Sequence, residues 1–234
     1  EYGVGSGIVW DSEAASEYHE CLAKAQILLT PAPPEFQLLE TMRWHPRKGY
    51  FLLEQHLRRL RHSADYFGFA LDEAHIRALL AQVAAPHPLR VRLLLSRDGT
   101  ARVEHTPLPP SPPLWRVALA PEPIDPNHVF LYHKTTHRAV YERARASCPH
   151  CDDVILWNPQ GEITESTLAN VVVQLQGKLY TPPIRCGLLG GVYREYLLAR
   201  GTITERTLTK EELARADAIY LINSVRGWMR ARLE

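Results

Sequence analysis

Apolar residues recur at helical spacing from Glu54 to Phe67, at Leu57, Leu60, Ala64 and Phe67, which predicts an amphipathic helix. A second helix is expected over Asp72 to Val83. Strand-like runs flank this pair. Phe36 to Trp44 alternates and returns through Tyr50 to Leu53 after an Arg47-Lys48-Gly49 turn, and Leu89 to Ser96 turns at Asp98-Gly99 into Ala101 to Thr106. Pro107, Pro109, Pro110, Pro112 and Pro113 then break the pattern. Beyond them a strand is predicted over Leu114 to Ala120 and a helix over Arg138 to Ala146. Strands over Val154 to Trp157 and Asn170 to Leu175 are expected to pair around an Asn158–Gly161 turn, with a further hairpin at Gln176-Gly177. Gly187 to Gly191 leads into a helix over Val192 to Arg200. A strand over Ile203 to Leu208, a helix over Lys210 to Ala214, a strand over Ala218 to Asn223 and a short final strand complete the pattern. At the other end, Gly3 to Val9 is Gly-rich, Ser12 is the expected cap of an amphipathic helix, and Pro31, Pro33 and Pro34 suit a linker over Thr30 to Glu35. These breaks divide the chain into 1–30, a small α/β domain over 31–112 and a larger domain over 113–234.

Composition narrows what these elements can do. A chain of 234 residues with 45% hydrophobic and 23% charged residues can bury a real core. Lys plus Arg number 27 against 26 for Asp plus Glu, so nucleic acid and anionic membrane are not expected partners, while a small anionic ligand remains open to local arginines. No apolar run has membrane-spanning length and the first residues lack a secretory layout, so a cytoplasmic location is expected. Cys21, Cys148, Cys151 and Cys186 are too few and scattered for a disulfide framework. The Cys148-Pro149-His150-Cys151 run lies between a helix and a strand, away from a helix start that would stabilise a thiolate, and one CxxC makes a poor zinc site. It reads as a reduced loop, and no metal is expected.

Candidate chemistry concentrates between His133 and Asn170. Lys134 stands just before a helix, and Glu165 follows a tight turn one helix and one strand later. A desolvated lysine can hold an aldehyde as a Schiff base, and a carboxylate can face a protonated pyridine nitrogen, which is the pair that pyridoxal 5'-phosphate requires. Taken singly, each has a plainer reading, as a surface cation and a solvated turn-end acid. A phosphate would need further donors. Gly191-Val192-Tyr193 opens a helix whose free N–H groups and dipole suit a dianion, although a glycine pair also makes a simple turn.

Five separated blocks carry a more specific resemblance: Glu40-Thr41-Met42-Arg43; His56-Leu57-Arg58-Arg59-Leu60; the Lys134 block; Thr164-Glu165 with Asn170; and Gly191-Val192-Tyr193-Arg194 followed by Ile222-Asn223-Ser224. From Phe36 onward the chain resembles the fold-type IV pyridoxal phosphate enzymes, which include branched-chain and D-amino acid aminotransferases and 4-amino-4-deoxychorismate lyases. The resemblance implies a two-domain α/β (α+β) fold of the D-amino acid aminotransferase kind, pyridoxal 5'-phosphate as cofactor, a small anionic substrate and a homodimer. It assigns Lys134 to the Schiff base, Glu165 to the pyridine nitrogen, and Arg59, Gly191, Val192, Tyr193, Ser224 and Asn170 to cofactor binding. Thr41, Arg97 and Arg92 are the expected substrate contacts, with Arg97 placed first, and His133 and His137 either relay protons or pack. Residues 1–30 resemble the C-terminus of chorismate-utilising enzymes, in which a Gly-rich strand precedes a Glu-Tyr-x-x-Glu helix. The chain therefore resembles the lyase part of a polypeptide fused to aminodeoxychorismate synthase. The implied reaction is conversion of 4-amino-4-deoxychorismate to 4-aminobenzoate and pyruvate in folate synthesis. An aminotransferase of the same fold and a silent scaffold for the synthase are the alternatives.

Overall fold

The structure, a computed structural model, describes residues 3–5, 7–10, 12–25, 34–108 and 110–234. Most of the expected linker, residues 30–33, and Pro109 of the proline-rich break lie outside these. Residues 1–35 and 36–234 form two compact units. In the first, helix α1 spans Ala14–Ala25. Ser12 does not cap it: its Oγ accepts from the Val9 N–H at 3.0 Å and donates to Glu17 at 2.8 Å, while the helix starts two residues later. No strand forms among the described residues of 3–10.

The second unit contains two sheets. Strands β1 (Leu38–His45), β2 (Gly49–Tyr50), β3 (Leu89–Leu95) and β4 (Ala101–Pro107) form an antiparallel sheet in the order β2-β1-β3-β4. Helices α2 (Leu53–Phe67) and α3 (Glu73–Ala81) supply its core with Leu57, Leu60, Ile76 and Leu80, which pack with Leu38, Met42, Val91 and Leu93. Asp72 caps α3 by accepting from His75 N–H at 3.0 Å. Because side chains alternate across a strand, burying Val91 and Leu93 under the helices sends Arg90 and Arg92 to the other face. Strand pairing sets Thr41 opposite Arg92 there.

The larger sheet runs β10-β9-β8-β11-β12-β5-β6-β7 and closes through an extra β8–β7 pairing. Its strands are β5 (Trp115–Leu119), β6 (Asp153–Trp157), β7 (Ile163–Ser166), β8 (Asn170–Leu175), β9 (Lys178–Thr181), β10 (Thr204–Glu205), β11 (Ala218–Asn223) and β12 (Gly227–Leu233). Val117, Ile155, Val171, Val173, Leu221 and Met229 share one core. Outside the ring, α4 (Ala139–Ala146) packs Tyr141 and Ala144 against Val154 and Leu156, and α5 (Val192–Ala199) packs Leu197 against Val172 and Ile222. Helix α6 (Lys210–Ala214) begins with a Thr209–Glu212 capping box.

The pattern misplaced three features. The hairpin partner of β6 is β7, and β7 meets β8 only at Glu165↔Asn170. Ile163 to Ser166 is buried on both sides, so it lacks the alternation that marks a half-exposed strand. The strand expected over Ile203 to Leu208 is only two residues long, whereas the final strand has seven. Cys148 and Cys151, expected as free thiols, are joined in a disulfide between the end of α4 and the start of β6. With His150 their ligand atoms lie within 4.8 Å of one another, but two of the three are sulfurs bonded to each other. Among the described residues no helix is long and apolar enough to cross a membrane.

Candidate active site

A cavity of about 330 Å³ opens between the free face of the small sheet and the β7–β8 and β11–β12 turns of the large one. Such a volume is at the lower end of small-molecule pockets, roughly 300–1,000 Å³. Lys134, Glu165, Arg59, Asn170, Gly191, Val192, Ser224, Thr41 and Arg92 all line it. These residues come from seven separated segments.

The segment carrying Lys134 extends the small sheet. Lys134 O accepts from Leu39 N–H at 2.9 Å, and Thr136 N–H donates to Gln37 O at 2.9 Å, which fixes the lysine at the junction of the two sheets. Burial is the main cause that lowers the Lys134 pKa to about 8, and Arg59 and Arg138 add to it; Glu40 and Glu165 act in the opposite sense. Glu165 is 4% exposed. Its Oε1 accepts from Tyr141 OH at 2.8 Å and from Leu189 N–H at 3.1 Å, and its Oε2 accepts from Asn170 Nδ2 at 3.4 Å. Burial lifts its pKa to about 7 against these donors and the nearby Lys134 and Arg138. One cavity thus holds an amine and a carboxyl group that both titrate near neutrality.

Arg59 is held by a buried carboxylate. Its Nε and Nη2 donate to the two oxygens of Glu40 at 2.8 and 2.6 Å, and its Nη1 donates to Gly190 O at 3.1 Å. His56 Nδ1 lies 2.6 Å from the same Glu40. Burial acts to raise the Glu40 pKa, but Arg59 and His56 overcome it and hold it at about 2. Arg58 and Arg61 instead meet Glu195 and Glu73 near the surface. Gly191 is the N-cap of α5, so the first-turn N–H groups beside Arg59 have no acceptor within the helix. A Cβ on Gly191 would lie 1.9 Å from Asn170 Oδ1, so only glycine lets Asn170 reach Leu189 O, to which it donates at 2.8 Å.

Tyr193 and Arg97 are not brought into this cavity. The Tyr193 ring packs against Phe51 and Tyr196, which leaves its N–H as its contribution at the helix start. Arg97 lies past the end of β3, donates to Phe67 O at 2.9 Å and covers the Phe69 ring. It is thereby corrected as the first-choice substrate arginine, and the cavity-lining arginines of β3 are Arg90 and Arg92. His133 and His137 pack: His133 bonds Ser63 at 3.0 Å among Tyr66, Phe67 and His62, and His137 lies against Phe130 and His128.

Several residues of the site had no role assigned from sequence. Glu40 and His56 stood inside two of the matched blocks, and the three-residue spacing of His56 and Arg59 put both on one helix face. Tyr141 and Arg138 had no such signal. Arg138 donates to Thr167 O, and Thr167 in turn bonds the buried Asp153 of β6 through its N–H and its hydroxyl. That network fixes the turn that presents Glu165.

The chain belongs to the amino-transferase class IV family, whose model matches residues 37–233. The family is one of enzymes that work with pyridoxal 5'-phosphate. A Schizosaccharomyces pombe protein provisionally named aminodeoxychorismate lyase is 33% identical over 188 residues, covering 75% of this chain and 81% of that one. A crystal structure of a provisionally named amino-acid aminotransferase from Mesorhizobium loti is 37% identical, with a TM-score of 0.81 over 86% of this chain and 100% of that one. The 4-amino-4-deoxychorismate lyase structure from Pseudomonas aeruginosa is 25% identical, with a TM-score of 0.72 over 84% of this chain and 82% of that one.

The donor set fits the cofactor: an aldehyde needs an amine that is free in part, a pyridine nitrogen a carboxylate, and a phosphate a guanidinium beside a helix start. Lys134, Glu165 and the Arg59–Gly191 corner offer these three in one cavity.

Proposed function

We propose that the chain is a 4-amino-4-deoxychorismate lyase that forms 4-aminobenzoate and pyruvate. The observation carrying this choice within the family is the charge of the cavity wall. Arg59, Arg90, Arg92, Arg138, Arg226 and Lys134 face a single carboxylate, Glu165, which suits an anionic substrate better than an amino acid with an apolar side chain. The similarity to proteins named as such lyases supports it. The Mesorhizobium loti relative favours an aminotransferase as the second reading.

Arg59, the N–H groups at Gly191–Val192 and Ser224 would hold the phosphate, with Glu165 at the pyridine nitrogen, braced by Asn170 and Tyr141. Bound there, pyridoxal phosphate supplies an electron sink for the pair released from a carbon. Lys134 Nζ takes the proton from ring carbon 4 of the substrate. With a pKa of about 8 it is already free amine in about a tenth of molecules at pH 7. Arg92 and Thr41 orient the substrate on the small-sheet face, and aromatisation of the ring on loss of the enolpyruvyl group supplies the driving force. Assembly as a homodimer and fusion to an upstream synthase domain belong to the same proposal, as does the division at 31–112 and 113–234.

Supplying aminodeoxychorismate with and without a 2-oxo acid separates the two readings. A lyase makes 4-aminobenzoate at the same rate in both, whereas consumption that depends on the 2-oxo acid and yields no pyruvate identifies an aminotransferase.

A further inference from the structure

Behind the Arg59–Gly191 corner stand two polar residues that do not line the cavity, Glu40 and His56, each 1% exposed. Glu40 shares the helix-covered face of β1 with Leu38 and Met42, so α2 lies over it. Three positions apart on α2, His56 and Arg59 converge on its carboxylate. With its pKa held at about 2, Glu40 only accepts, so His56 Nδ1 carries a hydrogen and donates it to Oε2 at 2.6 Å. Burial lowers the His56 pKa, so the ring is neutral at pH 7 and its Nε2 is a bare acceptor. That nitrogen is buried with no hydrogen-bond partner among the described residues. An unpaired buried acceptor is costly, and leucine would fill a similar space without one. What histidine adds is the Nδ1–H at one oxygen of Glu40. The same oxygen takes Arg59 Nη2 at 2.6 Å, Oε1 takes Nε at 2.8 Å, and Nη1 goes to Gly190 O at 3.1 Å. One N–H on Nη1 and one on Nη2 remain for the cavity. Their direction follows the turn of the Glu40 carboxylate, which His56 fixes.

We propose that His56 is a positioning residue for the cofactor phosphate: by holding Glu40 it aims the remaining N–H groups of Arg59, and so sets the preference for the phosphorylated cofactor. The inference rests on the reading that the Arg59–Gly191 corner holds the phosphate, and extends it to a residue outside the cavity.

Equilibrium dialysis of the full chain, stripped of cofactor, against pyridoxal 5'-phosphate and against pyridoxal gives an affinity ratio whose change on substitution reads the phosphate alone. The parent is expected to favour the phosphorylated form by about a hundredfold or more. His56→Leu should cut that ratio about tenfold while pyridoxal affinity stays within about twofold of the parent's. His56→Asn carries its amide N–H in the place of Nδ1 and should keep the ratio to within about threefold. His56→Gln carries its amide at the far end of the ring's place and should lose the ratio as leucine does. A space-filling role gives the reverse order, since asparagine leaves the larger void. That reverse order, an equal loss for both ligands, or a ratio that survives in the leucine and glutamine variants overturns the proposal. The two readings fail separately. A parent without the preference removes the phosphate corner and the role of His56 together, whereas a parent that has it and variants that keep it remove His56 alone. Whether the loaded enzyme releases pyruvate bears on neither result.

Discussion

Glu165 and Glu40 are both buried carboxyl groups, and their surroundings move them in opposite directions. Burial dominates at Glu165, whose pKa of about 7 means that the folded protein keeps this proton after the unfolded chain has lost it near 4.5. Stability of the cofactor-free protein therefore falls as pH rises from 4.5 to 7, and the penalty is complete above 7. Glu165→Gln removes it: the variant should be about 1–3 kcal/mol more stable than the parent at pH 8 and within about 0.5 kcal/mol of it at pH 4, as read by urea unfolding. A variant equally destabilised at both pH values contradicts a carboxyl group strained by burial. At Glu40, Arg59 and His56 overcome burial, and a folded pKa of about 2 contributes stability that is present above 4.5 and lost as pH falls toward 2. Glu40→Gln leaves Arg59 without its counter-charge, so it should cost about 3–5 kcal/mol in stability. If Arg59 holds the phosphate, the same variant should also weaken cofactor binding, measured by equilibrium dialysis. Lys134 follows its own sign: its folded pKa of about 8 lies below the ordinary lysine value, so the cost of burying it is present below pH 8 and disappears as pH rises through 10.5.

At the scale of elements, the start of α5 is the tightest junction in the site. Gly191 has ordinary helix-entry angles, so its constraint is space alone. Gly191→Ala would push Cβ into Asn170 Oδ1 and should lower stability by about 1–3 kcal/mol. Because Asn170 braces Glu165, cofactor absorbance should fall in the same variant, and an unchanged spectrum would separate the two effects. The helices and hairpins were legible in the sequence where they are amphipathic or carry turn chemistry. Leu57, Leu60 and Ala64 mark the buried face of α2, and Gln176 and Gly177 both take the positive φ that a tight hairpin needs. Strand β7 was not legible, because a short segment buried on both faces has no period to read. The disulfide was not legible either, since a CxxC spacing in sequence says nothing about where the two sulfurs point.

Across the whole molecule, the sequence located the catalytic candidates better than the substrate contacts. Lys134, Glu165, Arg59 and Gly191 stand in contiguous blocks whose backbone roles constrain the neighbouring residues, so motif spacing finds them. A carboxylate-binding arginine depends on which side of one strand faces the cavity and where that strand ends. Arg97 falls past the end of β3 and turns to Phe67, while Arg90, two positions before Arg92, shares its face. Arg226, from a turn 136 positions further along the chain than Arg90, joins it only through the folding of both sheets. The most direct test of the central claim is a paired assay of pyruvate and 4-aminobenzoate from aminodeoxychorismate, with the cofactor-loaded parent beside Lys134→Ala. Equal amounts of the two products from the parent, without any 2-oxo acid, and neither from the variant at a rate above about one ten-thousandth of the parent's, is the expected result. Products from the variant at a comparable rate, or a parent that moves the amino group and releases no pyruvate, would contradict it.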